Sequence, residues 1–138
     1  MNENKLKHLE LIQAVVSRMG GNLFYLRGWS VTLIGAVLAV LSQAKDEVDI
    51  FPVIVLLVVT LMFWVYDGYF LSQERKYRDL YNKVRKLDDK GIDFSMDTSE
   101  FDGYKKNTIL YCMFSKTIAP FYLFFLAGGL YVLFSVIW

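Results

Sequence analysis

Asp67 is the one charged side chain inside the tract FPVIVLLVVTLMFWVYDGYFL, the 21 residues from Phe51 to Leu71. Counting back from Leu71 at about 1.5 Å per residue puts its carboxylate ~6 Å inside the apolar stretch. A charge at that depth faces protein or water and requires a partner. Arg27, at the mouth of an earlier apolar tract, lies at a matching depth and is the first candidate; Lys116, at the mouth of a later one, is the second. Three roles are open to the carboxylate: an ion pair that fixes helix register, a ring of such groups around an ion path in an oligomer, or a side chain that snorkels to the headgroups.

The remaining reactive residue types are isolated. His8 has no Cys or His at ligand spacing and reads as part of a solvated helix face. Cys112 is the single cysteine; it excludes an intrachain disulfide and reads as a small buried hydrophobe rather than a nucleophile. Gly20-Gly21 and Gly128-Gly129 stand in helical contexts and match no phosphate-binding loop. The residues therefore assemble no catalytic constellation, and the expectation is a protein that is not an enzyme and carries no metal or cofactor.

Helices must position these residues, and three tracts are long enough to cross a ~30 Å hydrocarbon core. Besides the tract that holds Asp67, they are GWSVTLIGAVLAVLSQA from Gly28, extended backwards if Arg27 snorkels, and TIAPFYLFFLAGGLYVLFSVIW from Thr117, with Pro120 tolerated in a first turn. No compact charged segment and no small-x-small site mark the first tract as a cleavable signal peptide. Hydrophobic residues are 55% and aromatics 17% of the chain, above the usual composition of a soluble domain. The expected fold class is an all-α integral membrane protein with three transmembrane helices. An N-terminal amphipathic helix and an extension of the second span complete it. The expected layout is an arm over 1–21, span one over 22–44, an external loop over 45–49, span two over 50–71, a cytoplasmic helix and acidic loop over 72–116, and span three over 117–138. With 138 residues no room remains for a separate catalytic domain.

Orientation follows from the basic residues. The N-terminal segment holds Lys5, Lys7, Arg18 and, at the mouth of span one, Arg27; Lys45 alone stands among Asp46, Glu47 and Asp49 in the first loop, and the other ten run from Arg75 to Lys116. The positive-inside rule places the N-terminus and the long second connection in the cytoplasm and leaves Trp138 outside as an interfacial anchor.

Two apolar stripes flank the membrane. Leu9, Ile12, Val16 and Met19 recur at helical spacing in the first arm; Phe70, Tyr77, Leu80, Tyr81, Val84 and Leu87 do so beyond span two. The arms can lie antiparallel and bury both stripes, or the first can float on the headgroups. Too few bases on its polar face favour packing. Gly20-Gly21 predicts a break or hinge, and IDFSMDTSEFDGY after Gly91 predicts a surface loop.

Span one carries a stripe of small side chains, Gly28, Thr32, Gly35, Ala39 and Ser42, which permits close helix approach within one subunit or around an oligomer axis that lines a pore. Span two, mostly Val, Leu and Ile, reads as a lipid-facing wall. One copy has too little polar interior to enclose a water path, so transport implies a homo-oligomer. Arg75, Lys76, Arg78, Lys83, Arg85, Lys86 and Lys90 would then form a basic collar for anionic lipid, for the acidic loop, or for a nucleotide or oligonucleotide ligand.

The entry Gly28-Trp29-x-x-Thr32 and the exit Trp64-x-x-Asp67-Gly68-Tyr69-x-x-x-Gln73-Glu74-Arg75 resemble a group of small bacterial membrane proteins. Some are encoded beside nucleotidyltransferases in anti-phage systems of the Hailong type. The resemblance covers the chain to about Tyr81. It implies a channel effector in the bacterial inner membrane, opened or held shut by a nucleotide product. The competing expectation is a passive scaffold that recruits a cytosolic partner protein through its helical arms.

Overall fold

The computed structural model describes residues 2–43 and 49–138; the Ser42 side chain and the expected external loop with Lys45, Asp46 and Glu47 lie outside the described residues. Two long helices dominate, α1 (Glu3–Gln43) and α2 (Ile50–Lys86), followed by a short helix α3 (Ile109–Met113) and the apolar α4 (Ala119–Ile137). At 1.5 Å per residue, α1 is about 60 Å long and α2 about 55 Å, so each reaches well beyond a bilayer core. Among the described residues all regular structure is helical, and α1, α2 and α4 are long and apolar enough to cross a membrane.

Helix ends obey local chemistry. The Asp49 carboxylate caps α2 by accepting from the Phe51 N–H at 3.2 Å, and Pro52 follows within the first turn. Lys83, Arg85 and Lys86 occupy the last turn of α2, where the helix dipole favours cations. Pro120 sits in the first turn of α4.

The Gly20-Gly21 break is not there: α1 runs through both glycines. Each costs about 1 kcal/mol in a helix relative to alanine. Packing on either side outweighs that cost, because Leu9, Ile12, Val16, Met19, Leu23, Arg27, Ser30, Ile34, Val37 and Leu41 keep a 3-4 repeat turned inward, each buried or half-buried. The repeat is uninterrupted in the sequence. It was the signal for continuity that the glycine pair masked.

Span two is not a lipid-facing wall but the central helix. A third of its apolar window is buried, against 11% for α1 and for α4, and Val53, Leu56, Thr60, Phe63, Trp64, Asp67 and Gly68 form its hidden face. At the polar end the two stripes pack together: Leu9, Ile12 and Val16 of α1 meet Leu80 and Val84 of α2. The floating arm is thereby overturned in favour of the packed one. Residues 92–104 are also more than a surface loop. Phe101 is buried in that same core, and Ile92 and Met96 pack on it.

The connection from α2 to α4 folds back along α2 and is pinned at successive levels. Asn107 Nδ2 donates to Asp79 Oδ2 at 2.8 Å and to the Phe101 carbonyl at 3.1 Å, Ser72 Oγ donates to the Asn107 carbonyl, and Trp64 Nε1 donates to the Met113 carbonyl at 2.8 Å. Gly68 makes the closest of these approaches possible. A Cβ there would meet the Met113 side chain and sit 3.2 Å from the Ile109 carbonyl oxygen.

Candidate functional site

Where the three apolar helices approach the polar end, their polar side chains converge. Asp67 of α2 is fully buried and its Oδ2 accepts from Arg27 Nε of α1 at 3.0 Å; the Arg27 side chain keeps 36% exposure, as a guanidinium at the mouth of a span should. The pairing expected from depth alone is therefore present, and Lys116, the second candidate, is exposed and elsewhere. Tyr122 of α4 and Ser30 of α1 complete the cluster, with the Tyr122 hydroxyl facing both Asp67 and Ser30. Ser30 Oγ donates to the Arg27 carbonyl at 2.8 Å. Asp67 Oδ1 and the Tyr122 hydroxyl are buried without a hydrogen-bond partner among the described residues.

Such a cluster can fix register. A buried carboxylate left without its guanidinium would be strongly destabilising, so sliding α1 by one turn along α2 would strand Asp67 in an apolar setting. Trp64 stacks on Tyr122 with ring centroids 6.2 Å apart and meets Phe114 edge-on at 5.3 Å, closing the cluster from the side of α3 and α4.

The small-residue stripe of α1 points away from the other helices. Gly28, Thr32, Gly35 and Ala39 are exposed, while Ser30 and Ile34 are the residues buried toward α2. A Cβ added at Gly28 or Gly35 would meet nothing within 4 Å. Thr32 Oγ1 satisfies itself on the Gly28 carbonyl at 2.9 Å, which leaves a smooth outer surface. Gly28, Thr32 and Gly35 are thus not used for packing inside one subunit.

Most of the expected basic collar is tied down inside the chain. Lys76 pairs with Asp102 and Lys83 with Glu100, both at 2.7 Å, and Arg78 grips Glu74 one turn back with two nitrogens. Arg75 Nη1 donates to the Lys106 carbonyl at 2.7 Å. The hydrogen bond to Glu100 raises the Lys83 pKa, and hydrogen bonds from Ser99 lower that of Asp97. Arg85, Lys86 and Lys90 are exposed and hold no acid among the described residues. The acidic loop accordingly neutralises Lys76 and Lys83, Glu74 of the same helix holds Arg78, and the far end of the collar is left free.

His8 departs from expectation. Instead of lying on a solvated face it is 1% exposed, with Nε2 2.9 Å from the Ser95 carbonyl and its ring 5.5 Å from that of Phe94, whose φ of 56° turns the chain onto it. A cavity of about 200 Å³ beside it is lined by Lys83, Asp93, Ser95, Asp97, Ser99 and Glu100 among others. The loop partner was invisible in the sequence, since 87 positions separate the two residues. Cys112 is buried as expected; burial pushes its thiol above the ordinary value, with Arg75 opposing. Among the described residues no cluster of His, Cys, Asp and Glu is arranged to hold a metal ion.

No family model matches the chain, and no curated protein or solved structure matches it.

Proposed function

We propose that the chain is the subunit of a homo-oligomeric channel in the bacterial inner membrane, with the outer face of α1 turned toward neighbouring copies and a shared axis. The observation that carries this reading is the exposed Gly28, Thr32 and Gly35 surface, which the subunit itself leaves uncovered. In lipid, small residues matter because they let backbones approach closely, and a stripe directed away from its own bundle suits an interface between copies. Gating by a cytoplasmic anion of nucleotide type agrees with the resemblance to anti-phage effectors. Of the collar, Arg85, Lys86 and Lys90 are the residues available for it, because Lys76, Arg78 and Lys83 already hold acids and Arg75 is fixed on the Lys106 carbonyl nearer the apolar tract.

The test is conductance of the purified protein in planar bilayers together with mass in detergent. Gly35→Leu should reduce the oligomer and abolish current, whereas Val40→Leu, five residues on and therefore on another side of the helix, should change neither. A wild-type protein that assembles but passes no current with or without a nucleotide would favour the scaffold instead.

A further inference from the structure

At the end of the apolar belt nearest the collar, a cleft of about 450 Å³ is lined by Arg75, Tyr111, Phe114, Ser115, Lys116 and Thr117. We propose that this cleft binds the phosphate of an anionic glycerophospholipid, one molecule per chain. The inference rests on the membrane-spanning part of the reading above and is independent of conductance. Depth is the first argument. Arg75 lies four residues beyond Leu71, where the apolar tract of α2 ends, and Lys116 three residues before Ala119, where α4 begins. Both cations therefore stand at headgroup level on the same side.

Charge is the second. Lys116 is exposed with no acid among the described residues, and Arg75 holds no carboxylate. The bonds of Arg75 Nη1 to the Lys106 carbonyl, at 2.7 Å, and to Cys112 Sγ, at 3.6 Å, fix the guanidinium. Its Nε and Nη2 remain without a protein acceptor among the described residues, and a planar guanidinium with two open nitrogens matches phosphate oxygens. Ser115 Oγ and Thr117 Oγ1, 3.4 Å apart, add two hydroxyls, and none of the six lining residues is acidic.

The apolar floor argues for a lipid over a soluble phosphate. Tyr111 lies under the Arg75 guanidinium at 5.9 Å, and Leu110 and Phe114 beside it are 67% and 60% exposed. An aromatic and aliphatic ledge at the membrane interface suits a glycerol backbone and the first methylenes of its acyl chains. The cavity beside His8 has the opposite character, since Asp93, Asp97 and Glu100 would repel a phosphate there.

Native mass spectrometry of the detergent-solubilised full chain tests the proposal, with phosphatidylglycerol as the probe, phosphatidylcholine as the zwitterionic arm, and ATP and inorganic phosphate as soluble arms. One phosphatidylglycerol per chain should be retained in preference to phosphatidylcholine. At roughly 1 kcal/mol for each interfacial base, Lys116→Gln should weaken retention about fivefold and Arg75→Gln with Lys116→Gln about 25-fold. Lys7→Gln, at an exposed base outside both the cleft and the collar, should leave it unchanged. The Lys116 side chain makes no hydrogen bond or ion pair among the described residues, so its single substitution keeps the fold and an unchanged retention there overturns the proposal. Equal retention of both lipids, or displacement of phosphatidylglycerol by ATP or phosphate at matching concentration, overturns it too. Specific retention without current in bilayers would sink the channel and leave the lipid site standing.

Discussion

Asp67 and Arg27 are unequal partners, and the inequality is measurable. Asp67 is wholly buried, while Arg27 keeps a third of its side chain outside. Arg27→Gln strands a carboxylate in an apolar site and should cost about 3 kcal/mol or more of thermal stability in detergent. Asp67→Asn frees a guanidinium that can turn toward headgroups, so it should cost distinctly less. The double variant should be less damaging than the sum by at least ~0.5 kcal/mol, as expected for residues in contact. Equal single effects that simply add would remove the ion pair as the register lock. The exit signature around Asp67 acquires a structural meaning at this scale as well: Trp64 and Arg75 hold the returning chain by its carbonyls, and Gly68 leaves room for it. Spacing and depth alone sufficed to pair Arg27 with Asp67. Nothing in the sequence pointed to Tyr122 or Ser30, because a hydroxyl among apolar residues has no periodic signature.

At the scale of elements, uninterrupted apolar length revealed the candidate spans and apolar periodicity both stripes, since burial against a partner helix selects one face. It failed where local chemistry and tertiary packing disagree. The glycine pair is a local stop signal overridden by a 41-residue helix that packs along most of its length. The segment 92–104 lacks a period because its three buried or half-buried apolar residues are held by turns, with the Asp93 and Asp97 carboxylates accepting from the Ser95 and Ser99 N–H groups. Gly20→Ala with Gly21→Ala separates a continuous helix from a hinge. A Cβ at either position meets nothing within 4 Å, so the double change should stabilise the protein by about 1–2 kcal/mol through backbone entropy and helix propensity. A lower melting temperature in detergent would show that the backbone there leaves the helical state.

For the whole molecule, sidedness follows in two steps of different strength. The N-terminal arm and the segment 92–104 belong to one packed unit, because Leu9 and Ile12 share a core with Phe101 and His8 meets the Ser95 carbonyl. They must lie on the same side of any membrane that α1, α2 and α4 cross. An odd number of crossings then sends Trp138 to the opposite side, where the last residue is almost fully exposed. Which side is which depends on charge: fourteen of the fifteen Lys and Arg residues lie in or beside the packed unit and only Lys45 beyond the first span, so the positive-inside rule predicts that unit on the cytoplasmic side. A phosphatase reporter, active only in the periplasm, should therefore be active when fused after Trp138 and silent when inserted at Ser95 or before Asn2. Activity at all three positions would mean that α4 does not cross, whereas a full inversion would keep the fold and move the collar, with any anionic ligand it serves, to the outer face.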